Sequence, residues 1–232
     1  MTKVSGNLLI LKKNMMKSST LQFLKNLTKN NNRDWFNENK AKYQEAQQDV
    51  VSLVENLIAE MSAFDEEIGK LDAKKSLFRI YRDTRFSKDK SPYKTNFGAS
   101  LGMGKGNKTS GYYLHIEPGK SFLAGGVYMP ESSVLKTIRQ EISAFGDEFL
   151  EILEQDEFRN YFRGLSVEDK LQKVPQGFEK DDKMAEYLKL KHFVVMHPIS
   201  DEQLLEENAA KNFAKIYKAM KPLNDFLETP FR

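Results

Sequence analysis

Apolar residues recur along this chain with two different periods, and the points where the period changes mark out its elements. Ser19 and Thr20 precede a short helical stretch, Leu21 to Thr28, which the run Asn30-Asn31-Asn32-Arg33 interrupts. Asparagine side chains compete for backbone hydrogen bonds and favour turns. Asp34 is placed to cap a long helix carrying Phe36, Tyr43, Val50, Val54, Leu57 and Met61. Their spacings of three, four and seven draw one buried stripe that ends near Ala63. From Leu77 the period falls to two. Leu77 to Arg82 alternates, with Phe78 and Ile80 on one face and Arg79 and Tyr81 on the other. Three further strands are predicted over Thr95–Met103, Gly111–Glu117 and Ser121–Tyr128. The glycine-rich stretch Gly102 to Gly106 reads as a hairpin loop and Pro118-Gly119 as a turn. Connections this short imply antiparallel pairing.

The helical period returns after Pro130 through Val134, Leu135, Ile138, Ile142, Phe145, Phe149 and Leu153. Short helices follow over Phe158–Phe162 and from Asp181 to Leu188. Lys191 to Met196 reads as a last strand, ending at His197-Pro198. Ser200 and Gln203 form a capping box. It opens a final helix striped by Leu205, Ala209, Phe213, Ile216 and Met220, which Pro222 should kink or end. Helices and strands are thus segregated. That order predicts an α+β fold, an antiparallel sheet of four or more strands covered by long helices. No repeat or linker divides the chain, so residues 19–232 are expected to form a single domain behind an N-terminal tail over 1–18.

Composition narrows the chemistry. The chain of 232 residues has no cysteine, which removes disulfides, thiolate nucleophiles, cysteine-ligated zinc and iron–sulfur clusters. The apolar run Leu8 to Leu11 is too short for a secretion signal or a membrane span. A cytoplasmic protein without a membrane partner is expected. His192 and His197 stand five apart and point to opposite sides of an extended chain, so no metal site is expected.

Charge changes the picture more. The net charge is only +3, too little for a general nucleic-acid coat. Yet Arg79 to Lys94 holds six basic and two acidic residues, a local +4. A focused basic patch is a place to bind an anion. Arg79, Arg82, Arg85 and Lys90 are candidates to hold a phosphate or carboxylate, with Lys94 adding charge and Tyr93 orienting the ligand. Asp83, flanked by arginines, should stay ionised and is the one candidate catalytic residue of the segment. The same residues also suit an ion-pair network, with Asp83 clamping Arg82 or Arg85 and Asp89 clamping Lys90. A different class of function, a nucleic-acid or protein-binding module, would extend the basic surface to Lys105, Lys108 and Lys120. Inside the last predicted hairpin strand, Gly125-Gly126 signals a close backbone approach by either a ligand or a packed helix.

The stretch from Arg79 to Tyr93 satisfies the pattern R-x-x-R-D-x-R-F-x-x-[DN]-K-x-x-Y. With Asn31-Asn32-Arg33-Asp34-Trp35-Phe36, Gly111-Tyr112-Tyr113-Leu114, Gly125-Gly126-Val127-Tyr128 and Val174-Pro175-Gln176-Gly177-Phe178, it resembles the conserved hypothetical proteins grouped as domain of unknown function 2461. The resemblance runs from about Leu21 to Phe231. It implies a fold and a candidate site at the basic motif, and it implies no activity or cofactor.

Overall fold

A computed structural model describes residues 15–102 and 109–232. The expected glycine-rich loop and its Lys105 and Lys108 lie largely outside the described residues, as do residues 1–14 of the expected tail. Within that tail, Met16 is buried and the Lys17 N–H donates to Asp49 at 2.8 Å.

The fold is α+β. Five helices come first: α1 (Ser18–Lys29), α2 (Arg33–Glu38), α3 (Lys40–Met61), α4 (Glu66–Gly69) and α5 (Ala73–Ser76). Strands β1 (Phe97–Leu101), β2 (Gly111–Ile116) and β3 (Phe122–Val127) form a meander. Helices α6 (Ser132–Ala144), α7 (Gly146–Glu154), α8 (Asp156–Arg159) and α9 (Ala185–Leu188) precede β4 (Phe193–Pro198). Helices α10 (Asp201–Leu204) and α11 (Ala209–Glu228), with a terminal 3-10 turn, close the chain. The sheet order is β1-β2-β3-β4, antiparallel throughout.

Two long helices build the core. The α3 stripe of Val50, Val54, Leu57 and Met61 is buried as its spacing requires, and α11 answers with Phe213, Tyr217, Met220 and Leu223. These helices pack on each other, and α11 lies along β3. Gly125 admits that helix: a Cβ there would stand 2.6 Å from the Met220 sulfur. Gly126 has φ +116°, and a Cβ would overlap the Phe193 carbonyl of β4. The glycine pair therefore accommodates a helix and a neighbouring strand. Pro222 does not end α11, which continues to Glu228. Proline deprives the carbonyl four residues earlier of its donor. Here that residue is Lys218, on the exposed side of the helix, where its carbonyl is not sealed from solvent.

Several expected elements differ. The helix expected from Asp34 to Ala63 is broken at Asn39, whose side-chain amide bonds back to the Trp35 carbonyl at 2.9 Å. Asn32, not Asp34, caps α2, accepting the Trp35 N–H at 2.9 Å. The capping box at Ser200 and Gln203 is present, but it opens only the short α10. Leu77 to Arg82 is not a strand, and β4 is the fourth strand instead. The hydrogen bonds of that segment are divided. The Phe78 N–H reaches Gly98 on β1 at 2.9 Å, while Arg82 and Ile80 bond to Pro92 and Lys94 farther along the chain, at 3.0 and 2.8 Å. A chain that pairs first with one neighbour and then with another makes isolated bridges, Leu77 with Ala99 and Tyr81 with Tyr93, rather than a ladder.

Candidate functional site

That divided pairing turns the basic motif into an open hairpin. Its two arms meet at Tyr81 and Tyr93, and residues 83–91 form the excursion between them. Asn31 secures its base. The Asn31 side chain accepts the Tyr93 N–H at 3.1 Å and donates to the Tyr93 carbonyl at 2.9 Å, as a neighbouring strand would. The Tyr93 ring is buried and stacked on Phe36, with centroids 3.9 Å apart and planes 14° apart.

Inside the excursion most charges are already paired. Arg82 holds Asp89 in an ion pair and reaches the Ser91 carbonyl at 3.3 Å. Asp89 accepts from both the hydroxyl and the N–H of Ser91, at 2.6 and 2.9 Å. Those Ser91 bonds, then Arg82, hold the Asp89 carboxyl well below the usual carboxylate range. Asp83 grips Arg85 through Nη2 at 2.6 Å and Nε at 3.0 Å, which lowers the Asp83 pKa. Lys90 donates to the Thr84 carbonyl at 2.9 Å. Asp83 thus clamps Arg85 and not Arg82, and Asp89 clamps Arg82 and not Lys90. The Arg85 side chain is 77 % exposed. Beside it Phe86 stands 95 % exposed.

Arg79 and Lys94 form no ion pair among the described residues. The Lys94 ammonium lies 5.3 Å from the centroid of the Phe78 ring. Burial and then the charge of Arg79 lower its pKa. Lys94, Arg82 and Asp83 line one side of a concavity of about 480 Å³, whose floor is Tyr113 and His115 on β2. A second concavity of about 450 Å³ adjoins it across the face of the sheet opposite α11, sharing Phe78, Tyr113 and His115. Phe122, Ala124 and Met196 extend this floor, with Tyr128 and His192 at the far side. Together they make one trough across the sheet. Of the predicted residues, Arg82, Asp83 and Lys94 meet at it. Arg79, Arg85, Lys90 and Tyr93 do not line it.

The trough floor follows from strand alternation. Tyr112, Leu114 and Ile116 turn into the core, while Tyr113 and His115 turn outward. Tyr113 stands between Ser100 and Ala124, and His115 between Gly98 and Phe122. The imidazole of His115 stacks on Phe122 at 4.6 Å. Its Nδ1 meets the Tyr113 hydroxyl at 3.0 Å and its Nε2 meets Glu117 at 3.1 Å. Burial, then the Glu117 charge, pushes the Tyr113 phenol up to about 12.

A family model described as conserved hypothetical protein (DUF2461) matches residues 19–226. The chain belongs to that family. No curated protein and no solved structure matches it. In this DUF2461 protein the matched stretch spans the hairpin, all four strands and most of α11.

Tyr113, His115 and Glu117 were not among the candidate site residues read from the sequence, although Tyr113 lies in one of the stretches that carry the family resemblance. The signal was available: three polar, chemistry-bearing side chains at alternate positions of one predicted strand must share a face. Among the described residues no group of three or more histidine and carboxylate side chains is placed to hold a metal ion, and no helix is long and apolar enough to cross a membrane.

Proposed function

We propose that this protein binds a small molecule carrying a phosphate or carboxylate in the trough on the open face of its sheet. Lys94 holds the anion, with Arg82 beside it at the trough and the charge of Arg79 nearby, and the body of the ligand lies over Tyr113, Phe122 and Ala124. The observation that carries this reading is Lys94, a cation lining the trough with no carboxylate in an ion pair with it among the described residues. A partly desolvated ammonium beside an arginine gains from any anion that joins it, whereas Arg82 and Arg85 already have partners. The aromatic and aliphatic floor supports it, since small-molecule sites are largely apolar with a few placed polar groups.

The test is thermal stabilisation by inorganic phosphate, pyrophosphate and citrate at low ionic strength. An anion at a hundred times its dissociation constant should stabilise the fold by about 2.7 kcal/mol. Lys94→Ala should abolish the shift and Arg85→Ala should preserve it. Equal loss in both variants, or no shift with any anion, would remove the trough from consideration.

A second reading, a nucleic-acid-binding surface, is favoured by one observation. Phe86 is almost fully exposed, with the Arg85 guanidinium 5.8 Å from its ring centre and Lys88 two residues on. An aromatic plate flanked by cations suits stacking on an unpaired base. Binding of a labelled single-stranded oligonucleotide, weakened by Phe86→Ala and untouched by Lys94→Ala, would favour this reading over the first.

A further inference from the structure

We propose that Tyr113 is a nucleophile, with His115 taking its proton and Glu117 orienting His115, so that the trough is a group-transfer site. The Glu117 carboxylate at Nε2 fixes the imidazole proton on that nitrogen. Nδ1 is then left as the acceptor, and the Tyr113 hydroxyl donates to it. Carboxylate, imidazole and hydroxyl stand in the order in which a positioned base activates an alcohol. Tyr113 and His115 come from β2 and Glu117 is the residue just past its end, so the rigid pleat sets the spacing of the first two and the strand's exit places the third. The strand is anchored from behind, where the Tyr217 hydroxyl donates to the Tyr113 carbonyl at 2.8 Å. Stacking on Phe122 holds the plane of the imidazole, and the Asn96 amide approaches Nδ1 at 3.4 Å.

The high pKa of the phenol fits this role. Free phenolate is suppressed at neutral pH, so attack proceeds with proton removal by His115 and not through a standing anion. Tyr81 and Tyr128 are more exposed, at 55 % and 61 %, and neither has an imidazole bonded to its hydroxyl among the described residues.

The substrate class, a phosphate ester, rests on the anion reading above; the relay itself does not. Tyr113 Oη attacks phosphorus, and the bond from phosphorus to the leaving alkoxide breaks. The phenol proton passes to His115 Nδ1 and from there to the departing oxygen. Water attacking the same phosphorus then releases phosphate, His115 carrying the water proton to Tyr113 Oη.

A neutral electrophile tests the relay separately from anion binding. Phenylmethanesulfonyl fluoride forms an Oη–S bond with loss of fluoride and needs neither Lys94 nor Arg79. The protein should gain one adduct, mapped by peptide mass spectrometry to Tyr113, while Tyr81 and Tyr128 stay unmodified. Tyr113→Phe should abolish the adduct. His115→Gln should slow it by about a hundredfold, within the range of a lost general base. Glu117→Gln should slow it less and change the nitrogen-15 shifts of His115, which report its tautomer. Melting midpoints of the variants and the His115 tautomer in the unmodified parent separate lost chemistry from lost fold. Labelling that follows exposure, an unlabelled Tyr113, or a His115 protonated on Nδ1 in the parent would overturn the proposal.

Discussion

The phenol of Tyr113 lies across the backbone of Gly98: a Cβ on Gly98 would stand 2.6 Å from the Tyr113 hydroxyl oxygen and 3.0 Å from ring carbon Cε2. Gly98 sits on β1, one strand over and opposite His115. The absence of a side chain there leaves room for the ring that meets His115.

Gly98→Ala should therefore displace that ring. Overpacking of this kind costs on the order of 1–3 kcal/mol. The variant should melt lower than the parent, and the His115 imidazole signals should move as the bond from Tyr113 is lost. An unchanged midpoint with unchanged imidazole signals would mean the ring is not held over Gly98.

Asn31→Ala should loosen the base of the basic hairpin. It leaves both the N–H and the carbonyl of Tyr93 without their partners, and unmade bonds at a buried residue cost about 1–3 kcal/mol. Denaturant unfolding measures the loss. Amide exchange should accelerate at Tyr93 and Arg82 while β2 and β3 keep their protection.

Asp83→Asn should leave the melting midpoint where it is. Both partners of the Asp83–Arg85 pair are exposed, and exposed ion pairs contribute little. A large loss of stability would show that Asp83 anchors more than its neighbour. Proteolysis within residues 83–91 should increase, because the pair pins that excursion.

The pH dependence of stability should carry a contribution from Tyr113 on the alkaline side. Its pKa is about 12 in the fold and about 10 in an unfolded chain. The folded state holds the proton more tightly, so this contribution is complete below the unfolded value. It is lost as the pH rises from there through the folded one. Tyr113→Phe has no such proton, so its stability should fall less steeply than the parent's between those values. Parallel curves would contradict the burial of the phenol.

The candidate site was legible in one of its two halves. The +4 run marked the hairpin, because charge density is a property of the chain itself. Which cation stays available was not legible. Arg82 and Lys94 look equivalent as letters, yet Asp89 folds back onto Arg82 across seven residues while Lys94 lies against Phe78. The other half, Tyr113-x-His115-x-Glu117, was written in strand alternation. Its meaning depended on which face of β2 the helices leave uncovered.

The sequence by itself determined the elements whose periodicity is local: the α3 and α11 stripes, the meander through β3, the capping box at Ser200 and the family. Hydrophobic spacing and turn chemistry act within a few residues, so they can be read along the chain. Only the tertiary structure decided the rest. Leu77 to Arg82 alternates like a strand, but a strand needs one continuous partner, and this segment divides its bonds between β1 and residues 92–94. Lys191 to Met196 carried the same local signal and became the sheet's fourth strand because β3 offered it a full edge. Backbone donors and acceptors are satisfied by whichever neighbour the packed chain supplies, and that choice is made across distances the sequence does not display.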